Sequence, residues 1–210
     1  MYKKLTRDVP WLVAVNSMAI FGLSALGIYA RIQGKERGLV NLFSDPFSSH
    51  YFYLGWLTGI SEIIWCIAIA ICLFTFSLLP REHQYRWFLL ASGMLMTLFY
   101  IDDRFRLTLI LSAFFKSFIK VKAVIYLLYG GLMVAYGKRF WCLIRRTAYF
   151  PLLAAFFLFG FSSAVDITPI GNRAFHAMLE DGTKLIGLIN LVIYFWDLCY
   201  RELRQLLKES

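Results

Sequence analysis

The sequence predicts an all-α fold, a polytopic transmembrane helical bundle of about six spans, and three observations carry that prediction. Of 210 residues, 60% are hydrophobic and only 17% charged, with mean hydropathy +0.62, whereas a soluble domain carries about a quarter charged residues. The apolar residues gather into blocks close to the roughly 20 residues of helix that cross a hydrocarbon core, and short clusters of Arg, Lys, Asp, Gly and Pro separate them. Ten-residue segments of alternating polarity, the mark of a membrane barrel, are absent. Helices follow, because in lipid each satisfies its own backbone donors and acceptors.

The first span covers 9–30; it is too long for a signal-peptide core and lacks a small-x-small cleavage site, so it reads as a retained helix. The second, 51–79, stops at Pro80, which cannot continue a helix. The third, 87–101, is short and runs into "DDRFR"; the following "LTLILSAFFKSF" is apolar enough to extend it or to form an interfacial or re-entrant helix. The remaining spans are 121–137, 148–165 and 184–200, and residues 1–210 read as one integral membrane domain without repeats. "IQGKERGLVN" reads as an ordinary loop. Cys66, Cys72, Cys142 and Cys199 lack the paired spacings of a disulfide framework or zinc site and read as small packing residues.

With six spans both termini share a side, and that side holds just over half of the 22 cationic residues. The "KRFWCLIRR" loop and "RELRQLLK" tail fit a cytoplasmic face, so both termini are placed inside. The net charge of +9 is spread over membrane flanks, which favours attraction to anionic lipid headgroups and excludes nucleic acid as a partner. Both basic segments read as interfacial anchors, with docking of a partner protein at the cytoplasmic loops as the runner-up.

The acids are more lopsided. Glu36, Asp45, Asp102, Asp103, Asp166, Glu180 and Asp181 fall on the side opposite the termini, delivered by distant segments, largely at helix ends. A bundle can gather them into one polar cluster, predicted to comprise Glu62, Asp102, Asp103, Asp166, Glu180, Asp181 and Lys184. Glu62 lies about ten residues into its span, roughly 15 Å down, and a bare carboxylate at that depth costs several kcal/mol. It must therefore face protein, protonated, paired or wet. Gly55, Gly59, Glu62, Cys66 and Ala70 recur at helical steps and predict a small-residue groove; Gly131 with Ala135, and Gly187, suit close helix packing in the same way.

Asp102 and Asp103 diverge by about 100° on a helix, so one is expected to face the bundle while the other meets Arg104, Arg106 or water. Ser162, Ser163 and Asp166 close the fifth span, and the chain turns through Pro169 and Gly171. On the last helix Glu180, Lys184 and Gly187 share a face, which makes Lys184 the expected counter-charge for Glu180, Asp102 or Asp166. Asn190, Tyr194 and Asp197 form a second polar stripe, with Asp197 one turn from Arg201.

The motifs "IDDRF", "SSAVD" and "LEDGTKLIGLINLVIYF" resemble those of a family of bacterial polytopic membrane proteins that share a double-Asp motif, a Ser-to-Asp span end and an E-D-G-x-K-x-x-G motif at the start of the last helix. The resemblance covers roughly residues 55–200 and implies a bacterial inner (plasma) membrane protein. That family's double Asp is followed by a His-Glu pair; Leu107 and Thr108 stand here, so a metal or acid–base role resting on that pair does not carry over. No activity accompanies the resemblance.

Three function classes fit. The favoured one is a non-enzymatic membrane component, an oligomeric sensor, scaffold or channel-like subunit, in which a buried carboxylate and lysine network fixes or switches helix packing. An ion or proton transporter is the second, since ionisable groups stand at successive depths; the lack of an inverted repeat argues against it. The third is a membrane-embedded metal-dependent or serine hydrolase acting on lipid. His50 and His176 with the acids are its metal ligands, and Ser162 or Ser163 its nucleophile. No HxxxH or HExxH spacing supports it, and no P-loop, dinucleotide fingerprint or haem-attachment motif occurs. No cofactor is expected.

Overall fold

A computed structural model describes residues 2–43, 55–105, 110–111, 118–168 and 171–209. Among them the chain is all-helical, in seven helices: α1 (Tyr2–Ile32), α2 (Glu36–Leu42), α3 (Trp56–Leu78), α4 (Arg86–Phe105), α5 (Phe118–Ile144), α6 (Phe150–Ile167) and α7 (Arg173–Glu209). Each predicted span overlaps one helix, and the last, 184–200, is the middle of a helix that begins at Arg173. Four helices hold a stretch long and apolar enough to cross a membrane: Trp11–Ile32, Trp56–Leu78, Phe150–Ile167 and Arg173–Lys208. Fewer helices meet that criterion than the six expected. Arg86, Asp102, Asp103 and Arg104 lower the apolarity of α4, and Lys120, Lys122, Lys138 and Arg139 that of α5.

The third predicted span ends later than expected, and one predicted loop is helical. Helix α4 runs through "DDRF" to Phe105, so Asp102 and Asp103 stand on a helix and point apart. Residues 106–109 and 112–117, which decide whether the chain continues across or along the interface, lie outside the described residues, as do Asp45, His50, Pro169 and the start of the second predicted span. The segment read as an ordinary loop contains α2. Its two turns are too short to be stable alone; burial of Leu39 and Phe43 with Ala30 and Ala174 holds them. Gly34, at φ +62°, supplies the left-handed turn between α1 and α2.

The chain divides into two compact units, residues 1–64 with 150–193, and 65–149 with 194–210. In the first, α1 packs on α7: Gly27 lies against Met178 and Gly182 against Leu23, each so close that a Cβ would crowd the neighbour. Gly187 meets Leu158 and Phe159 of α6 in the same manner, as expected of a packing glycine. In the second unit Phe88 stacks on Tyr136 and meets Phe140 edge-on, with Phe195 tilted against it. Ser92 hydrogen-bonds the Tyr136 hydroxyl at 2.5 Å.

The small-residue groove expected on α3 is a correction. The buried stripe is Ser61, Trp65, Ala68, Cys72 and Thr75, a helical repeat rotated away from Gly59, Cys66 and Ala70. Cys66 and Ala70 are exposed, and nothing lies within 4 Å of a Cβ built on Gly59. Gly55 is a turn residue at φ +76° before α3. Gly131 and Ala135 occupy an exposed face of α5, so they pack against no other helix of this chain among the described residues. Small residues at helical spacing mark a face that permits close approach, and another helix must still arrive there.

Candidate functional site at the turn between α6 and α7

The last turns of α6 and the first turns of α7 bring polar groups together inside the first unit. Gly171, at φ +71°, reverses the chain, and the Asn172 side chain caps α7 by accepting the Phe175 N–H at 2.8 Å. The Asn172 amide donates to Glu36 of α2 at 3.1 Å. The α6–α7 turn is thereby tied to the short helix that the sequence left as loop.

Glu180 is the centre of the group. Ser162 of α6, itself buried, donates its hydroxyl to the Glu180 main-chain carbonyl at 2.8 Å. The Glu180 carboxyl hydrogen-bonds the Asp166 carboxyl across the two helices, with Asp181 and Lys184 acting on it electrostatically. His176 Nε2 lies 3.4 Å from Glu180. Lys184 Nζ lies 3.6 Å from Asp181, so the counter-charge reaches an acid one turn before it on the same helix as well as acting on Glu180. Two carboxyl groups that hydrogen-bond share a proton, because two bare carboxylates repel and neither can donate.

Of the predicted cluster, Asp166, Glu180, Asp181 and Lys184 therefore meet. Glu62 is half-buried on α3. Asp102 and Asp103 belong to the second unit, where Asp102 hydrogen-bonds the Tyr129 hydroxyl of α5. Tyr129, which stacks edge-on against Phe99, carried no sequence signal for that role.

The second stripe is present along α7, each member with its own partner. Asn190 is fully buried and exchanges amide hydrogen bonds with Asn16 of α1, at 2.6 and 3.0 Å. Tyr194 hydrogen-bonds Thr147 at 3.0 Å. Asp197 pairs with Arg201 at 2.9 Å, the ion pair the spacing suggested. Asn16 was missed; a lone amide in an apolar run, "VAVNSMAI", was the available signal.

The Ser162 proton is committed to a main-chain carbonyl, which turns the hydroxyl away from a base. Among the described residues no group of three His, Cys, Asp or Glu is placed to hold a metal; His176 pairs with Glu180 at 3.4 Å, and His50 lies outside the described residues.

At the other end of the second unit His83 Nε2 lies 3.4 Å from the buried Glu202. Neighbouring Tyr85, outside the spans, has its phenol pushed up by burial and by Glu202, with Arg201 and Arg146 opposing.

The class this defines is an all-helical protein with four helices of membrane-crossing length and apolarity and a polar junction between its last two helices. The chain belongs to the family described as a domain of unknown function (DUF8692), whose model matches residues 11–198. No curated protein and no solved structure matches it.

Proposed function

We propose that this protein is a non-enzymatic integral component of a bacterial inner membrane, a sensor or scaffold subunit that works through the packing of α6 on α7, spans the bilayer six times and keeps both termini in the cytoplasm. The observation that carries the reading is the Ser162–Glu180–Asp166 connection. Its groups are spent on holding one helix to the next, with His176 and Lys184 alongside, so charge there sets a packing arrangement. A change in protonation or in a bound partner would alter that arrangement, as in other two-state elements. Signals would leave through the short cytoplasmic segments.

One observation favours a second reading, proton transfer. The hydrogen bond between Asp166 and Glu180 holds a proton inside a helix pair, the kind of site a proton path uses. Reconstitution into liposomes loaded with a pH dye separates the two. The scaffold reading expects no flux from the wild-type protein, together with loss of thermal stability in Glu180→Ala and its retention in Glu180→Gln, whose amide still bonds Asp166. Proton flux that Glu180→Gln abolishes would replace that reading with the second. Topology is tested by an epitope inserted after Leu111: six spans place it outside, whereas four would leave it in the cytoplasm.

A further inference from the structure

The second unit gathers cations at one end. Three segments converge there: the α3–α4 connection, the α5–α6 turn and the last part of α7. Gln84 accepts from Arg146 at 3.4 Å, His83 meets Glu202, and Thr147 meets Tyr194. Glu202 is buried against His83 and Asp197 is held by Arg201, while Glu82 is exposed.

The cations face outward. Arg81, Arg145, Arg146, Arg204 and Lys208 are exposed. Arg145 lies over the Trp141 ring, 5.5 Å from its centroid, and Arg86 over Phe76 at 4.9 Å. Such contacts pre-orient a guanidinium without neutralising it. Trp87, Trp141, Trp196 and Tyr200, on α4, α5 and α7, are exposed as well; Trp87 follows Arg86 and Tyr200 precedes Arg201 in sequence. Exposed Trp and Tyr mark the headgroup level of helices that cross a bilayer, which on the membrane reading puts these arginines among the phospholipid phosphates.

We propose that this end of the second unit is a binding surface for the headgroup phosphates of anionic phospholipids, with Arg81, Arg145, Arg146 and Arg204 as the contacting residues. The proposal rests on the membrane reading above and on charge complementarity. Its occupant is the lipid of the protein's own bilayer, rather than free phosphate or an acidic protein. Guanidinium groups suit phosphate because their paired N–H donors match two phosphate oxygens.

The test uses the full chain purified in non-ionic detergent and titrated with phosphatidylglycerol or phosphatidylcholine, with retained lipid read by native mass spectrometry. Phosphatidylglycerol is expected to be retained preferentially. Each of Arg145→Gln and Arg146→Gln is expected to weaken retention about fivefold, and Arg37→Gln in α2 to leave it unchanged. Equal retention of the two lipids, or no effect of the Arg145→Gln/Arg146→Gln double variant while its melting in detergent alone is preserved, overturns the proposal. Displacement of the lipid by an equal concentration of inorganic phosphate overturns it too, by making this a free-anion site. Release of the protein from membranes by carbonate without detergent would instead sink the membrane reading underneath, an outcome distinct from the others.

Discussion

The amides of Asn16 and Asn190 hydrogen-bond each other reciprocally, across 174 residues of sequence, in the interior of the first unit. Each also donates to a carbonyl one turn back on its own helix, Leu12 and Ile186 respectively, so every amide donor and acceptor at the junction has a use. The pair therefore specifies how α1 registers on α7, where Trp11–Ile32 is otherwise apolar and largely exposed. A double-mutant cycle of Asn16→Ala and Asn190→Ala, read by unfolding in detergent–denaturant mixtures, is expected to give a coupling of about 0.6 kcal/mol, and no more than about 1.7. Strict additivity of the two changes would show that the amides do not stabilise one another.

Lys184→Met is expected to destabilise the protein by about 1 kcal/mol. The substitution leaves Asp181 without its 3.6 Å partner and removes the cation acting on Glu180. The side chains of Lys184 and Asp181 are 23% and 28% exposed, so water screens part of the loss and the larger cost of breaking a fully buried pair does not apply. Lys138→Met, at an exposed position on α5, is the control. Equal detergent melting temperatures for the two variants would remove the pairing from the account.

What could be read in the sequence was whatever repeats locally. Helix positions follow from block hydropathy, which depends on neighbours within some 20 residues, and each block became a helix, four of them long and apolar enough to cross a membrane. The Asp166–Glu180 contact was foreseeable because two acids at the facing ends of consecutive helices are brought together by a short turn. Helix α2 was not, since seven residues become a helix only when tertiary burial of Leu39 and Phe43 supplies what local propensity lacks. The face of α3 was misread because Gly59, Cys66 and Ala70 and the actual stripe from Ser61 to Thr75 obey the same period; period alone leaves the phase open. Asn16 and Tyr129 have partners far away in sequence, and a single chain carries no local trace of such pairings.

The glycines divide by what a methyl group would meet. Gly93→Ala is expected to cost about 1–3 kcal/mol through overpacking, since its Cβ would stand 2.7 Å from Leu73 Cδ2 and 2.9 Å from Cγ. At Gly131 a Cβ meets nothing within 4 Å, so alanine should be neutral or stabilise by up to about 1 kcal/mol through helix propensity. Thermal melting in detergent compares them. A sharp loss at Gly131, accompanied by a change in oligomeric mass, would mean that a second chain covers this face of α5.

Ser92 and Tyr136 should respond asymmetrically. Ser92 donates its hydroxyl proton to the Phe88 carbonyl at 2.7 Å, so in the 2.5 Å contact with Tyr136 the phenol must be the donor and the serine oxygen the acceptor. Ser92→Ala leaves a buried phenolic O–H without its acceptor and is expected to cost about 1–3 kcal/mol, the desolvation penalty of an orphaned donor. Tyr136→Phe removes the donor and leaves only a serine lone pair unfilled, while the ring keeps its stacking on Phe88; about 1 kcal/mol or less is expected. Adding Tyr136→Phe to Ser92→Ala should then restore part of the lost stability, because no buried O–H is left unpaired. Chemical denaturation of the two single variants and the double variant measures all three values. If Tyr136→Phe proved the costlier single change and the double variant showed no recovery, the donor assignment would have to be reversed, with the serine proton turned from Phe88 toward the phenol.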